Sequence, residues 1–414
     1  MPNKKNILLF CVVFGLLCLL SLNRHSQVKL QTYHAELWAD KAGYNVYLPS
    51  VFIYDFDASM FPKHIEAKTG YGFTLDSLSK KVITKYPYAV ALMQSPFWII
   101  AHLVSSKKDG YSLLYHKSID FAGSFYLTVG LFFLCFLIRR YQTVSMALLL
   151  TLLITLSTGV FYYGIYETGM SHIYSFCCLV IILYLLTSPV VNTSKLIRVI
   201  FFSLLFIAIR PINVLFLLPI ILSVAYKTKQ ISTILKLLNV KTIVICFLIA
   251  ALVLFPQLVY YKYAFGSFFT ISYKNEPFVS PSLYRIAELL FSPNNGLLIY
   301  YPVLIVLFIF YVFHKQLFNV LPIGLLWLYV MVYASWWSLS LGCGFGHRAM
   351  NDIVMVFFLP FIFSDRKISK LLVGCLIVCA LINLKFILSF DTCLHFSTNW
   401  NYQEYYSTLF GEFK

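Results

Sequence analysis

Charge is what this sequence has least of. Charged residues fill 12% of its 414 positions, where a soluble globular domain carries roughly 25%, so an ordinary soluble enzyme or binding module is excluded. Acids are scarcest: 16 Asp and Glu stand against 32 Lys and Arg, for a net charge of +16. Those bases are dispersed between apolar runs, with no basic face and no RNA-binding motif, which excludes nucleic acid as the partner. No C-x-x-C pair occurs among the ten cysteines, which argues against the common zinc sites. Cys11, Cys18, Cys135, Cys177, Cys178, Cys246, Cys375 and Cys379 lie in apolar runs, where a thiol behaves as a small hydrophobe. Cys343 and Cys393 fall in loops; they are read as unlinked thiols, with a pairing left open if the compartment is oxidising. No internal repeat and no low-complexity linker breaks the chain, so residues 1–414 read as a single integral membrane unit. No A-x-A site follows the apolar stretch 7–22, only SLNRHS. The N-terminus, with Lys4 and Lys5 before that stretch, is therefore read as an uncleaved first span, N-terminus inside.

What is abundant is hydrophobic sequence, 60% of the chain. Apolar runs long enough to cross a bilayer recur throughout. The spans are placed at 6–22, 120–138, 144–160, 170–188, 197–210, 212–226, 242–261, 297–313, 318–334, 350–364 and 370–388, which predicts an all-α polytopic protein of about eleven transmembrane helices. The runs 197–210 and 212–226 are short and meet at Arg210-Pro211; they are read as a helical hairpin turning there, because proline breaks helices and arginine is costly in mid-bilayer. Lys and Arg then concentrate in the loops that would face the cytoplasm, among them Arg139, Arg140, Lys195, Lys227, Lys229, Lys236 and Lys241, while the short outer loops hold few. The apolar stretch 89–104 tests this scheme. Were it to cross, every later loop would change sides against the charge rule, so it is expected to lie in the interface or re-enter, packed beneath the loop.

A long polar stretch, 24–119, separates the first two spans and forms a large first outer loop carrying interfacial helices. A transporter or channel seldom needs such a segment there; an enzyme at the membrane surface does. The polar residues that stand out all fall on the outer side. Asp40, in WADKAGYNVYLP, is the candidate catalytic base, since a positioned carboxylate can take the proton of an attacking hydroxyl. Asp55 and Asp57, in YDFDAS, and Glu167, in GIYETGMSHIYSF, are secondary acids. With Asp40, Asp55 and Asp57 are also candidate ligands for a divalent cation, the one cofactor the residues suggest. Arg348, Lys85 and Arg210 are candidate phosphate binders, guanidinium making forked contacts to phosphate oxygens. Tyr44, Tyr86, His172, Asn294, Asn295 and His347 complete the candidate set, and the glycines of GCGFGHR would let backbone approach a lipid phosphate. The many outer tyrosines and tryptophans read mostly as an interfacial belt.

Taken in order, the acidic first loop with GYNVYLP, KYPYAVALMQSPF, MSHIYSF, RPIN, SPNNGLLIYYP and GFGHR resemble the GT-C superfamily of membrane glycosyltransferases, which includes protein O-mannosyltransferase-like and aminoarabinose-transferase-like enzymes. The resemblance implies a sugar donor carried on polyprenyl phosphate, an acceptor that is a glycan, lipid or protein, and an extracytoplasmic active site in the plasma (inner) membrane. It places Asp40 near the catalytic centre, and Arg348 and Lys85 beside the donor phosphate. Many relatives carry a second acid directly after the first; here Lys41 stands there, and Glu167 is the expected substitute. The alternatives are a transporter or flippase of lipid-linked saccharides, which would need charged residues along a path inside the bundle, and a polysaccharide polymerase or ligase, which would carry its large loop later in the chain.

Overall fold

The computed structural model describes residues 4–273, 276–313, 317–364, 368–389 and 400–411. Helix α1 (Lys4–Arg24) leads into the first loop, which holds the short helices α2 (Asp40–Asn45), α3 (Tyr47–Phe52) and α4 (Ile65–Lys68). An antiparallel pair, β1 (Thr74–Asp76) and β2 (Lys81–Ile83) with Leu75 opposite Val82, precedes α5 (Ala89–Val104). The chain continues through α6 (Leu113–Ile138), α7 (Val144–Leu156), α8 (Val160–Ile165), α9 (Ser171–Leu186), α10 (Thr193–Ile209), α11 (Val214–Lys227), α12 (Ile231–Leu237) and α13 (Val240–Phe265). It ends with α14 (Leu283–Phe291), α15 (Leu297–Tyr300), α16 (Pro302–Phe313), α17 (Val320–Ala334), α18 (Leu359–Ile362), α19 (Lys370–Ser389) and α20 (Gln403–Phe410).

Four described helices, α1, α6, α13 and α19, are long and apolar enough to cross a membrane. A fifth span results if the segment Pro211–Lys227 and α12, bent by 110°, are taken as one. Their outer faces are apolar and uncovered, as at Leu8, Leu16 and Leu19 of α1 and Phe247, Leu252 and Phe255 of α13. This is the surface of a helical protein embedded in lipid, where every backbone group is satisfied within its own helix. Other predicted spans are shorter apolar helices (α7, α9, α16 and α17). The predicted span 350–364 is corrected. It consists of two 3-10 segments, Arg348–Asp352 and Val354–Phe358, ending in the single turn α18. Residues 349–360 are all buried, and irregular backbone is tolerated at membrane depth when protein encloses it.

The hairpin at Arg210-Pro211 is present. α10 and α11 run to and from that turn, because Lys195 near the start of α10 donates to Gln230 just beyond α11 at 2.9 Å. The expectation for α5 is refined. It does not lie flat but packs antiparallel along the first half of α6, with the Tyr126 hydroxyl donating to the Met93 carbonyl and His102 Nδ1 meeting the Tyr115 hydroxyl at 2.8 Å. Its C-terminal end therefore stays near the start of α6, and its N-terminal end lies beside the middle of that helix.

The first loop is a folded layer with its own core of Leu37, Val46, Leu48, Phe61, Phe73 and Val82, docked against Trp98 of α5 and Tyr115 of α6. α13 has 26 residues, about 39 Å at 1.5 Å per residue, so it outreaches a bilayer core of about 30 Å. Its far end clamps the layer: the Tyr260 hydroxyl accepts from Thr84 N–H at 2.6 Å, and the Tyr263 hydroxyl donates to the Phe56 carbonyl at 2.7 Å. The tyrosines and Trp98 expected in an interfacial belt are instead largely internal: Tyr44, Tyr47, Tyr54, Tyr86, Tyr162 and Tyr163 are buried. Cys343 is disulfide-bonded rather than an unlinked thiol; Cys393 lies outside the described residues.

The side assignment predicts a labelling result. A cysteine placed at Lys107, whose side chain is 75% exposed, should react with an impermeant maleimide in intact cells. One at the exposed Lys227 should react only after the cells are opened. Reaction at Lys227 in intact cells would invert the topology. Lys195 is unsuitable as the inner reporter because it is buried.

Candidate functional site

Asp40 opens α2, after Ala39, whose φ is positive at 49°. That kink needs close packing behind it, and two glycines provide it: a Cβ on Gly43 would strike the Tyr86 ring, and one on Gly72 the Ala39 carbonyl. The carboxylate is held from two sides. Tyr86 donates its hydroxyl to Oδ1 at 2.5 Å, and Arg348 donates from NH2 to Oδ2 at 2.6 Å. Asp40 and Arg348 lie 308 positions apart in the chain, and both side chains stay partly open, 26% and 20% exposed. Burial alone would raise the Asp40 pKa. The charge of Arg348, the Tyr86 hydrogen bond and the charge of Lys85 outweigh it and hold the carboxyl below its ordinary 3.8.

Arg348 follows Gly344 and Gly346, both at positive φ, where an added Cβ would strike Tyr163 and the side chains of Tyr300 and Tyr301 respectively. In the structure these glycines serve that packing. Asn295 pins the same loop, donating to the carbonyls of Ser340 and Gly342 at 3.2 and 3.0 Å, whereas Asn294 donates its backbone N–H to Ser292 Oγ at 3.0 Å in a local turn. Of the five N–H donors of Arg348, only the one on Asp40 has a partner among the described residues.

A second acid–arginine pair adjoins the first. Arg210, at the hairpin tip, donates to Asp352 Oδ2 at 2.6 Å, and His172 Nδ1 lies 3.0 Å from Asp352 Oδ1. Tyr44 sits between the pairs, within electrostatic reach of Arg210, Asp40 and Arg348, and its hydroxyl donates to Ser171. His347 packs edge-on against Tyr329 and Tyr333 and is fully buried. Burial, then the charges of Arg210 and Arg348, push its pKa down to about 3. It is therefore neutral at physiological pH and cannot serve there as a charged phosphate ligand.

Not every sequence-predicted residue belongs here. Lys85 reaches the cluster but is paired with Glu276 and stacked over the rings of Tyr86 and Tyr273, 5.3 Å from each centroid; as a phosphate ligand it is largely neutralised. Glu167 is not a free second acid. It forms an ion pair with Lys41 at 2.8 Å, with side chains 9% and 4% exposed, so the lysine directly after Asp40 is what engages it. Asp57 caps a 3-10 turn by accepting from Ser59, and Asp55 is exposed at φ 47°. Neither forms a metal-ligand set with Asp40 among the described residues. The group with metal-like spacing is His25, Glu36 and Asp120, but the Lys117 ammonium already lies 2.7 Å from Glu36 and 3.4 Å from Asp120. It acts as a latch between α1, the loop layer and α6.

Glu167→Gln separates these roles. It leaves a buried lysine without its counter-charge and should cost about 3 to 5 kcal/mol of stability, read as a lower melting temperature. The folded fraction should keep its specific activity. Lost activity at unchanged stability would restore Glu167 as a catalytic acid.

Asp352, Tyr273 and Glu276 were missed from sequence. Asp352 carried a signal: an acid inside an apolar run assigned as a span is a functional candidate by default. A cavity of about 1020 Å³ lies away from this cluster, between α11 and α17. It holds no acid, and so lacks the paired carboxylate and guanidinium that make Asp40 and Arg348 the candidate site. No protein-family model matches the chain, and no match is found among curated proteins or solved structures.

Proposed function

We propose that this protein is a GT-C-like glycosyltransferase of the plasma membrane that takes a sugar from a polyprenyl-phosphate donor at the extracytoplasmic face and transfers it, with inversion, to an acceptor hydroxyl. The observation that supports this best is the direct pairing of Asp40 with an arginine that has four of its five N–H donors without a partner among the described residues. Asp40 takes the proton of the acceptor hydroxyl as its oxygen bonds the anomeric carbon. The bond from that carbon to the phosphate oxygen breaks, and the polyprenyl phosphate departs with the electron pair, needing no proton. Arg348 stabilises the charge that grows on the leaving phosphate, with Arg210 a second cation close by. As the phosphate draws on the Arg348 charge, less remains to depress the Asp40 pKa, so the base strengthens when the donor is in place.

A transporter reading would need buried charge along a path through the bundle. The buried or half-buried acid–base pairs Asp40–Arg348, Arg210–Asp352, Lys41–Glu167 and Glu36–Lys117 instead gather at one end. The test is mass spectrometry of lipid-linked and surface glycans in cells with and without the protein. The expected result is accumulation of a sugar-loaded polyprenyl phosphate and loss of one sugar from a glycan, lipid or protein acceptor in its absence. Unchanged glycans and donor pools would overturn the reading.

A further inference from the structure

At the end of the bundle opposite Asp40 lies a feature independent of the proposed transfer. The cavity of about 1020 Å³ between α11 and α17 is at the upper edge of ligand pockets, which run roughly 300–1,000 Å³. Its walls are apolar, with Leu222, Leu321, Leu325 and Phe363, and Ser223 and Lys227 stand at its polar end. α11 begins beside Arg210 and ends at Lys227, so the cavity occupies the half of the bundle remote from the site.

What surrounds the polar end is one-sided in charge. From Tyr226 to Thr242 the chain has Lys227, Lys229, Lys236 and Lys241 and no Asp or Glu. All four lysines are exposed, and none makes an ion pair among the described residues. α12 turns away from α11 by 110° and buries none of its residues, leaving Ile231 and Leu235 uncovered beside those lysines. An amphipathic turn with apolar and cationic residues together suits a lipid headgroup boundary, and an acid-free lysine cluster there attracts anionic lipid.

We infer that the α11–α17 groove is a binding site for an anionic phospholipid of the cytoplasmic leaflet, one acyl chain lying between the two helices and the headgroup phosphate against Lys227 and Lys229. The chain is held by apolar contact with Leu222, Leu321 and Leu325, and the lysines select the headgroup.

The test is native mass spectrometry of the full-length protein in detergent, with phosphatidylglycerol or phosphatidylcholine added in turn. Phosphatidylglycerol should be retained in preference, by about fivefold for each lysine engaged, near 1 kcal/mol per basic residue. Lys227→Gln with Lys229→Gln should equalise the two lipids. Gly324 lines the groove, and a Cβ there meets nothing within 4 Å, so Gly324→Trp should fill it and remove the retained lipid while the protein still folds. Equal retention of both lipids by the unaltered protein would reduce the feature to ordinary bilayer contact and overturn the proposal. Retention undiminished in Gly324→Trp would do the same, as would displacement of phosphatidylglycerol by a polyprenyl phosphate at equal concentration, which would make the groove a donor-chain site.

Discussion

Asp40→Asn should lower transfer turnover by about 10²- to 10⁴-fold, the range expected for removal of a general base, with expression and melting temperature close to the unaltered protein. The substitution keeps the shape of the side chain and its place beside Tyr86, and removes only basicity and charge. Its effect on the donor has a sign that follows from the geometry. Arg348 spends one donor on Asp40 at 2.6 Å, and the carboxylate also repels an incoming phosphate. Loss of its charge should therefore leave donor-analogue binding intact or tighten it while turnover collapses. Weakened binding in step with turnover would mean that Asp40 holds Arg348 in place rather than acting as a base. Near-normal turnover would remove Asp40 from the chemistry, and because Glu167 is engaged by Lys41, Asp352 would be the next carboxylate to test.

Arg348→Ala should weaken donor-analogue binding and slow transfer together. The combined loss should be about 2 to 5 kcal/mol, as for truncating one partner of a buried, hydrogen-bonded charge pair. Arg348→Lys keeps the charge but loses the planar fork and should be only partly active. The pH profile gives a second readout. The folded-state pKa of Asp40 is depressed, so the carboxylate is the populated form above its ordinary 3.8 and is lost only as pH falls through the lower folded value. In the unaltered protein the acid limb of kcat/KM should lie below about pH 4 if Asp40 is the base. In Arg348→Ala the largest opposing charge is gone, so that limb should move upward. An unmoved limb would show that Arg348 does not set the basicity of Asp40. Unchanged affinity and turnover would leave Arg210 as the remaining phosphate candidate, since Lys85 is already paired with Glu276. Because Asp40 and Arg348 are in contact, the double substitution should cost less than the sum of the singles.

By itself the sequence determined those features that depend on composition and local pattern. A 12% charged content and recurrent apolar runs dictate a helical membrane protein, because a chain that poor in polar groups has to satisfy its backbone within helices. Proline after arginine dictates the turn at Arg210. Asp40 and Arg348 were legible as unusual polar residues, since each is costly unless paired or used. Their pairing was not legible: nothing in a one-dimensional pattern relates positions 308 apart, and only the docking of the loop layer onto α5 and α13 brings them within hydrogen-bond distance. Tertiary structure also decided which acids are free. Lys41 sits next to Asp40 in the chain but turns to Glu167, and Glu276, unremarkable in sequence, neutralises Lys85. The run 350–364 is apolar enough to read as a span, yet it folds as buried 3-10 backbone. Hydropathy reports burial, and burial in protein and burial in lipid leave the same signature in a sequence while imposing different demands on the backbone.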